Sequence, residues 1–144
     1  ELKRRRYWGR LSGPLLDRLD LQLKLEPAEP DSLRRSLAGN SREQDPTFSA
    51  ASVDRARVLM RERNPDDLPN RELSAQQLKQ HGGFRAETIE HWEEVIRARG
   101  LSMRSGLRLL RVARTVADLN ASDQVNLENL ASALCFRSFD TAEP

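Results

Sequence analysis

Cysteine is almost missing from this chain. Cys135 is the only one, which excludes an intrachain disulfide and a cysteine-rich zinc site and fits a reducing, cytoplasmic setting. With no cationic cluster beside it, Cys135 reads as a small hydrophobe rather than a nucleophile. Aromatic residues make up only 5% of the sequence, so the core must be modest and largely aliphatic. No apolar run reaches the roughly 18 residues of a membrane-spanning helix, and no hydrophobic signal region follows the basic N-terminal cluster. His81 and His91 have no acidic or thiol companions at ligand spacing, so no metal site is expected. There is also no G-x-x-x-x-G-K-[ST] loop to cradle phosphates and no apolar strand ending in paired acids to hold magnesium. By itself, this chain should not hydrolyse a nucleotide.

What the chain has is charge and helical pattern. Of 144 residues, 32% are charged, yet the net formal charge is only +2. The first ten residues carry five basic side chains against one acid, so the remainder is slightly acidic. That balance argues against a globally basic nucleic-acid surface and leaves room for a local basic patch. The length suits one small domain plus a remnant of another.

Residues 1–25 read as that remnant. Gly13-Pro14 can open a short helical turn through Leu15, Leu16 and Arg18, and Leu19-Asp20-Leu21-Gln22-Leu23-Lys24-Leu25 alternates with period two. A lone strand cannot satisfy its backbone or bury its apolar face, so this segment looks severed from a larger sheet domain, against which Tyr7-Trp8 would pack. Residues 26–48 read as a linker and mobile loop, with Pro27, Pro30, Gly39-Asn40-Ser41 and Asp45-Pro46 as breakers.

Residues 49–140 read as an all-helical bundle. Ser49 to Glu62 places Val53, Ala56 and Met60 on one face before Asn64-Pro65 stops it. Ser74 to Gln77 matches a capping box that opens a short helix to His81, ended by Gly82-Gly83. Glu87 to Arg99 should bury Ile89, Trp92 and Ile96 and stop at Gly100. Ser102 caps the longest helix, which runs to about Leu119. Asn126 caps the last helix, whose Leu127, Leu130, Ala131 and Leu134 should face inward.

On the longest helix Arg104, Arg108, Arg111 and Arg114 share about a third of the circumference, with aliphatic residues over most of the rest. That pattern predicts a narrow exposed band of guanidiniums. It serves either as a solvated face for an otherwise buried helix or as a phosphate contact, since the planar arginine fork matches phosphate oxygens. Arg104 stands apart because it lies in the first turn, where free amides and the helix dipole already favour an anion. Taken singly, Arg108, Arg111 and Arg114 fit surface or ion-pair roles better than ligand roles. Arg18, between turn and strand, either pairs with Asp17 or Asp20 or projects past the edge of its own subunit.

Arg10 to Leu21, Leu73 to His81, Leu101-Ser102-Met103-Arg104, Leu109 to Leu119 and the closing Ala133 to Asp140 together resemble the C-terminal part of magnesium-chelatase-like AAA+ ATPases of the ComM/YifB type. The resemblance implies the last turn and strand of an AAA+ α/β core followed by the all-helical lid. It further implies that a phosphate loop and magnesium acids lie upstream in a longer protein. Arg18 then matches the arginine finger that acts in trans on a neighbour's nucleotide, and is the catalytic candidate. Arg104 matches the lid arginine called sensor 2, which reaches an ATP phosphate, with Arg108 and Arg111 as subsidiary phosphate contacts. One departure is Gly106, where many relatives carry an aromatic residue; glycine there lowers helix propensity by about 1 kcal/mol relative to alanine.

The implied cofactor is ATP with Mg²⁺ in the full-length protein, with none expected on this chain alone. The implied partners are neighbouring subunits of a homo-oligomeric ring and, for a ComM-type motor, DNA; no membrane partner is expected. Three alternatives stand beside this reading: a chelatase subunit that powers magnesium insertion, a stand-alone DNA-binding helical module using the arginine stripe, and a protein-interaction domain.

Overall fold

The computed structural model describes residues 18–23, 27, 31, 34 and 49–137. The readings made for Tyr7-Trp8, the Gly13-Pro14 turn, most of the 32–48 loop and the end beyond Arg137 lie outside the described residues. Asp31 and Arg34 are helical, so at these positions helix replaces the expected linker and loop. Five α-helices follow: α1 (Ala50–Arg63), α2 (Ala75–His81), α3 (Ala86–Arg99), α4 (Met103–Leu119) and α5 (Leu127–Cys135). The described architecture is mainly α, a helical bundle.

Local chemistry sets most of the boundaries. Ser49 accepts the Ser52 amide at the start of α1, which stops where Asn64 adopts the extended backbone that a following proline favours. The capping box of α2 forms in both directions: the Gln77 amide donates to Ser74 Oγ at 3.2 Å, and the Ser74 amide to Gln77 Oε1 at 2.9 Å. Asn126 and Asn129 make the equivalent pair at α5, with Asn129 supplying the reciprocal acceptor. Gly100 ends α3 in the left-handed conformation at φ 59°.

The long helix α4 is the axis of the bundle. Its Leu109, Ala113 and Ala117 pack with Val125, Leu130 and Ala133 in one core cluster, and Leu110 packs with Leu73 and Leu78 in a second. Phe84 and Trp92 lie against both clusters. Alanines at three of these fully buried positions let α4 and α5 approach closely. Between α2 and α3, Phe84 forms an isolated parallel bridge with Val125. The Val125 amide donates to Gly83 O at 2.8 Å, and the Thr88 hydroxyl donates to Val125 O at 3.1 Å.

Several expected faces turn out differently. On α1, Val53 is 40% exposed and only Ser52 and Ala56 are buried, because α1 rests on α4 through a polar contact described below. On α3, Thr88 is fully buried while Ile89, Trp92 and Ile96 are half-buried. On α5, Asn129, Leu130 and Ala133 face inward, whereas Leu127 and Ala131 are exposed. Cys135 is exposed rather than a core residue.

Gly106 has a packing reason. A Cβ there would sit 2.4 Å from Ile96 Cδ1 and 3.1 Å from Trp92 Cζ2, and the Trp92 indole donates to Gly106 O at 2.9 Å. The glycine therefore lets α3 close onto the first turns of α4, which offsets its low helix propensity.

Two turn glycines make a contrasting test. Gly83 has φ +63°, and a Cβ there would lie 2.6 Å from the Asp123 carbonyl oxygen, whereas Gly100 has φ +59° and open space around it. Gly83→Ala should lower stability by about 2–3 kcal/mol and Gly100→Ala by about 1 kcal/mol, read as shifts in urea midpoint at unchanged slope. Equal midpoints for the two variants would refute the crowding at Gly83.

Candidate functional site

The arginine stripe of α4 does not form a uniform exposed band. Exposure falls along the helix, and each step has a chemical cause. Arg104, in the first turn, is exposed and has no partner among the described residues. The Ser102 hydroxyl oxygen accepts the Ser105 amide at 3.1 Å, which fixes the turn without using Arg104. Arg108 is half-buried and pairs with Asp20 at 3.3 Å. Arg111 donates from Nε at 3.2 Å and Nη2 at 2.7 Å to the Leu73 carbonyl oxygen, the end of the short turn before α2.

Arg114 has no exposed side-chain surface at all. It donates to the carbonyl oxygens of Gly82 at 3.0 Å, Asp123 at 2.9 Å and Ser122, and pairs with Asp118 at 3.1 Å. Burial pushes its pKa below the ordinary guanidinium value, while Asp118 works in the opposite direction. Two of the four stripe positions are thus structural: Arg114 clamps the α2–α3 turn to the loop after α4, and Arg111 holds the turn before α2. Arg111 spends Nε and Nη2 on this contact.

Asp118 lies at the centre of a buried polar hub that sequence reading missed. Its side chain is 1% exposed and accepts from Arg63 Nη2 at 3.0 Å, from a second Arg63 nitrogen, and from Asn70 Nδ2 at 2.8 Å, besides Arg114. Asn70 Oδ1 in turn accepts from Arg63 at 2.8 Å and from Asn64 at 3.0 Å, and Asn70 Nδ2 also reaches Thr115 Oγ1 at 3.0 Å. The available signal was the i, i+4 pair Arg114–Asp118 on a helix otherwise apolar around it.

Arg18 is exposed, with no partner among the described residues. The alternative pairing with Asp20 is not formed, since Asp20 pairs with Arg108. Arg18 begins the described segment 18–23, called the arm below, which meets the end of α5. Gln22 and Arg137 form a parallel bridge, with the Gln22 amide donating to Phe136 O at 2.7 Å. The expected unpartnered strand therefore has one local pairing. Its apolar side chains are only partly covered: Leu19, Leu21 and Leu23 are 48%, 54% and 65% exposed. The arm, α4 and Phe136 border a groove of about 510 Å³.

Among the described residues no group of histidines, cysteines or acids could hold a metal ion, and no helix is long and apolar enough to cross a membrane. His91 is exposed beside Glu94.

The described fold is a helical bundle, and comparison with known proteins gives its family. The magnesium chelatase, subunit ChlI C-terminal family matches residues 45–137, and the magnesium chelatase, subunit ChlI family matches residues 1–33. The chain belongs to the magnesium chelatase ChlI C-terminal family. It is 34% identical over 137 residues to the uncharacterized protein YifB of Escherichia coli K12, covering 94% of this chain and 26% of that protein. It is 31% identical to YifB of Salmonella typhimurium over the same shares, and 30% identical to the competence protein ComM of Haemophilus influenzae, over 92% of this chain and 25% of ComM. The chain thus spans about a quarter of the length of these relatives.

The hub predicts a large response to a nearly isosteric change. Asp118→Asn leaves Arg63 and Arg114 without their counter-charge and should cost about 3–5 kcal/mol in chemical denaturation. Arg57→Ala, which removes only the exposed pair with Asp54, should be near neutral. A midpoint for Asp118→Asn within error of the parent would show that the hub contributes no net stability.

Proposed function

We propose that this chain is the lid-bearing segment of a magnesium-chelatase-like AAA+ ATPase that works as an oligomeric ring, with Arg104 as sensor 2 and Arg18 as the arginine finger supplied to the neighbouring subunit. The observation that carries this reading is the division of labour on α4. Arg111 and Arg114 are committed to backbone carbonyls and Arg108 faces Asp20, whereas Arg104 is exposed at a helix N-terminus. An exposed guanidinium in the first turn of a helix suits a terminal phosphate.

ATP bound with Mg²⁺ would supply the phosphoryl group, and the metal ligands belong to the part of the protein upstream of this segment. What these residues contribute is charge. Arg104 would orient a terminal phosphate of its own subunit's nucleotide, and Arg18, exposed on an arm with partly covered leucines, would reach the nucleotide of the next subunit. A planar, permanently charged fork at either place stabilises negative charge that builds during transfer.

A ComM-type DNA-processing motor is the favoured parent, because YifB and ComM relatives align over more than nine-tenths of the chain. A subunit that drives magnesium insertion is the second reading, favoured by the family's description. Stimulation of ATP turnover by DNA supports the first, and stimulation only by a porphyrin-bearing partner supports the second. A stand-alone DNA-binding module is less favoured, since Arg111 and Arg114 are engaged by backbone carbonyls.

The decisive experiment uses the full-length protein. Arg18→Ala on assembled rings should lower ATP turnover by on the order of 10³-fold, and Arg104→Ala by at least about tenfold, both with unchanged circular dichroism. In mixed rings, a subunit lacking Arg18 should be complemented by one lacking its own phosphate loop. Near-normal turnover of Arg18→Ala would sink the trans assignment.

A further inference from the structure

A second buried arginine, outside the α4 stripe, connects the two segments that carry Arg18 and Arg104. Arg137 is 1% exposed, at the turn that ends α5. Its Nη1 donates to the Leu19 carbonyl oxygen at 3.3 Å, and its Nη2 to Ser105 Oγ at 3.3 Å. Leu19 is the immediate neighbour of Arg18, and Ser105 of Arg104. One guanidinium therefore touches both elements at positions adjacent to the two exposed arginines.

The way the arm is held makes this contact consequential. Leu19, Leu21 and Leu23 are about half exposed or more, so apolar burial of these side chains does little to hold the arm in place. The described contacts that do are polar: the Gln22 amide to Phe136 O, the Asp20–Arg108 pair and the Arg137 fork. Asp20 is 53% exposed, and a partly solvated pair of this kind contributes little. A buried guanidinium is costly unless its donors are used. Its rigid, planar fork can satisfy two acceptors on different elements at once, which a lysine's single ammonium cannot do in a fixed geometry.

Resting on the reading of Arg18 and Arg104 given above, we infer that Arg137 is a positioning residue that holds the arm and the first turns of α4 in one register, so that both arginines are presented together. It touches no nucleotide in this scheme. It acts through the Leu19 carbonyl and the Ser105 hydroxyl.

The test is made in the full-length protein. Arg137→Gln should lower the kcat for ATP turnover at least about tenfold, and Arg137→Lys should recover part of that loss because it retains the charge and one contact. In hydrogen exchange, Arg137→Gln should remove protection from the Gln22 amide while leaving core amides of α4 such as Leu109 protected. In a mutant cycle, Arg137→Gln should reduce kcat less than about twofold further once Arg18 and Arg104 are both alanine, since it acts through those two residues. If Arg137→Gln fails to fold, Ser105→Ala removes one contact without stranding a buried charge, and should lower kcat about threefold or more. The inference is overturned if Arg137→Gln, or Ser105→Ala in its place, retains kcat within twofold of the parent while Arg18→Ala and Arg104→Ala are impaired. It falls together with the functional reading if Arg18→Ala and Arg104→Ala are themselves near normal, a pattern distinguishable from the first.

Discussion

The buried carboxylate of Asp118 is the interaction around which the described domain is arranged. A carboxylate removed from water must be compensated, and here two guanidiniums and a carboxamide converge on it from α1, from the turn before α2 and from α4 itself. Because each partner belongs to a different element, satisfying one charge fixes the relative positions of several elements. Arg114 extends the same constraint to the α2–α3 turn and to the loop after α4 through backbone carbonyls. The apolar clusters on the other faces of α4 are small and aliphatic, so they supply burial, while the polar hub supplies direction.

The same helix carries a gradient from structure to surface. At its C-terminal half, arginine serves as a multidentate clamp on carbonyl oxygens, a role for which a fork with five donors is well suited. At its N-terminus, arginine is exposed in the first turn. The gradient follows the packing: toward its C-terminal end α4 is held by α1 and the turn before α2, while in its first turn Met103 and Arg104 are exposed and Ser105 is buried. Gly106 belongs to this boundary, since the missing side chain lets Trp92 and Ile96 of α3 close over the second turn.

The arm of residues 18–23 shows the opposite economy. Its apolar side chains are about half exposed, and hydrogen bonds and an ion pair attach it to α4 and the end of α5. Residues 1–33 match the magnesium chelatase subunit ChlI family, and residues 45–137 match a separate, C-terminal family.

Helix boundaries were legible because they depend on contacts within a few residues. The Ser74–Gln77 box, the Ser102 and Asn126 caps, the Gly100 stop and the Asn64-Pro65 break are each decided by local backbone geometry. The resemblance to the family was legible for the same reason, being carried by continuous stretches. What the amino-acid order could not decide was which charged residues go inside. Arg104 and Arg114 look alike as members of one helical stripe, and only the packing of α1, the Gly82 turn and the loop at Ser122 makes one a clamp and leaves the other in solvent. Thr88, Asn70 and Arg137 were overlooked because a polar residue enters a core only where acceptors or donors from distant segments meet it. So the sequence by itself determined the helices, their caps and the family, through short-range chemistry. The tertiary structure alone decided which arginines hold the domain together and which remain exposed, because burial of a charge depends on partners far away in the chain.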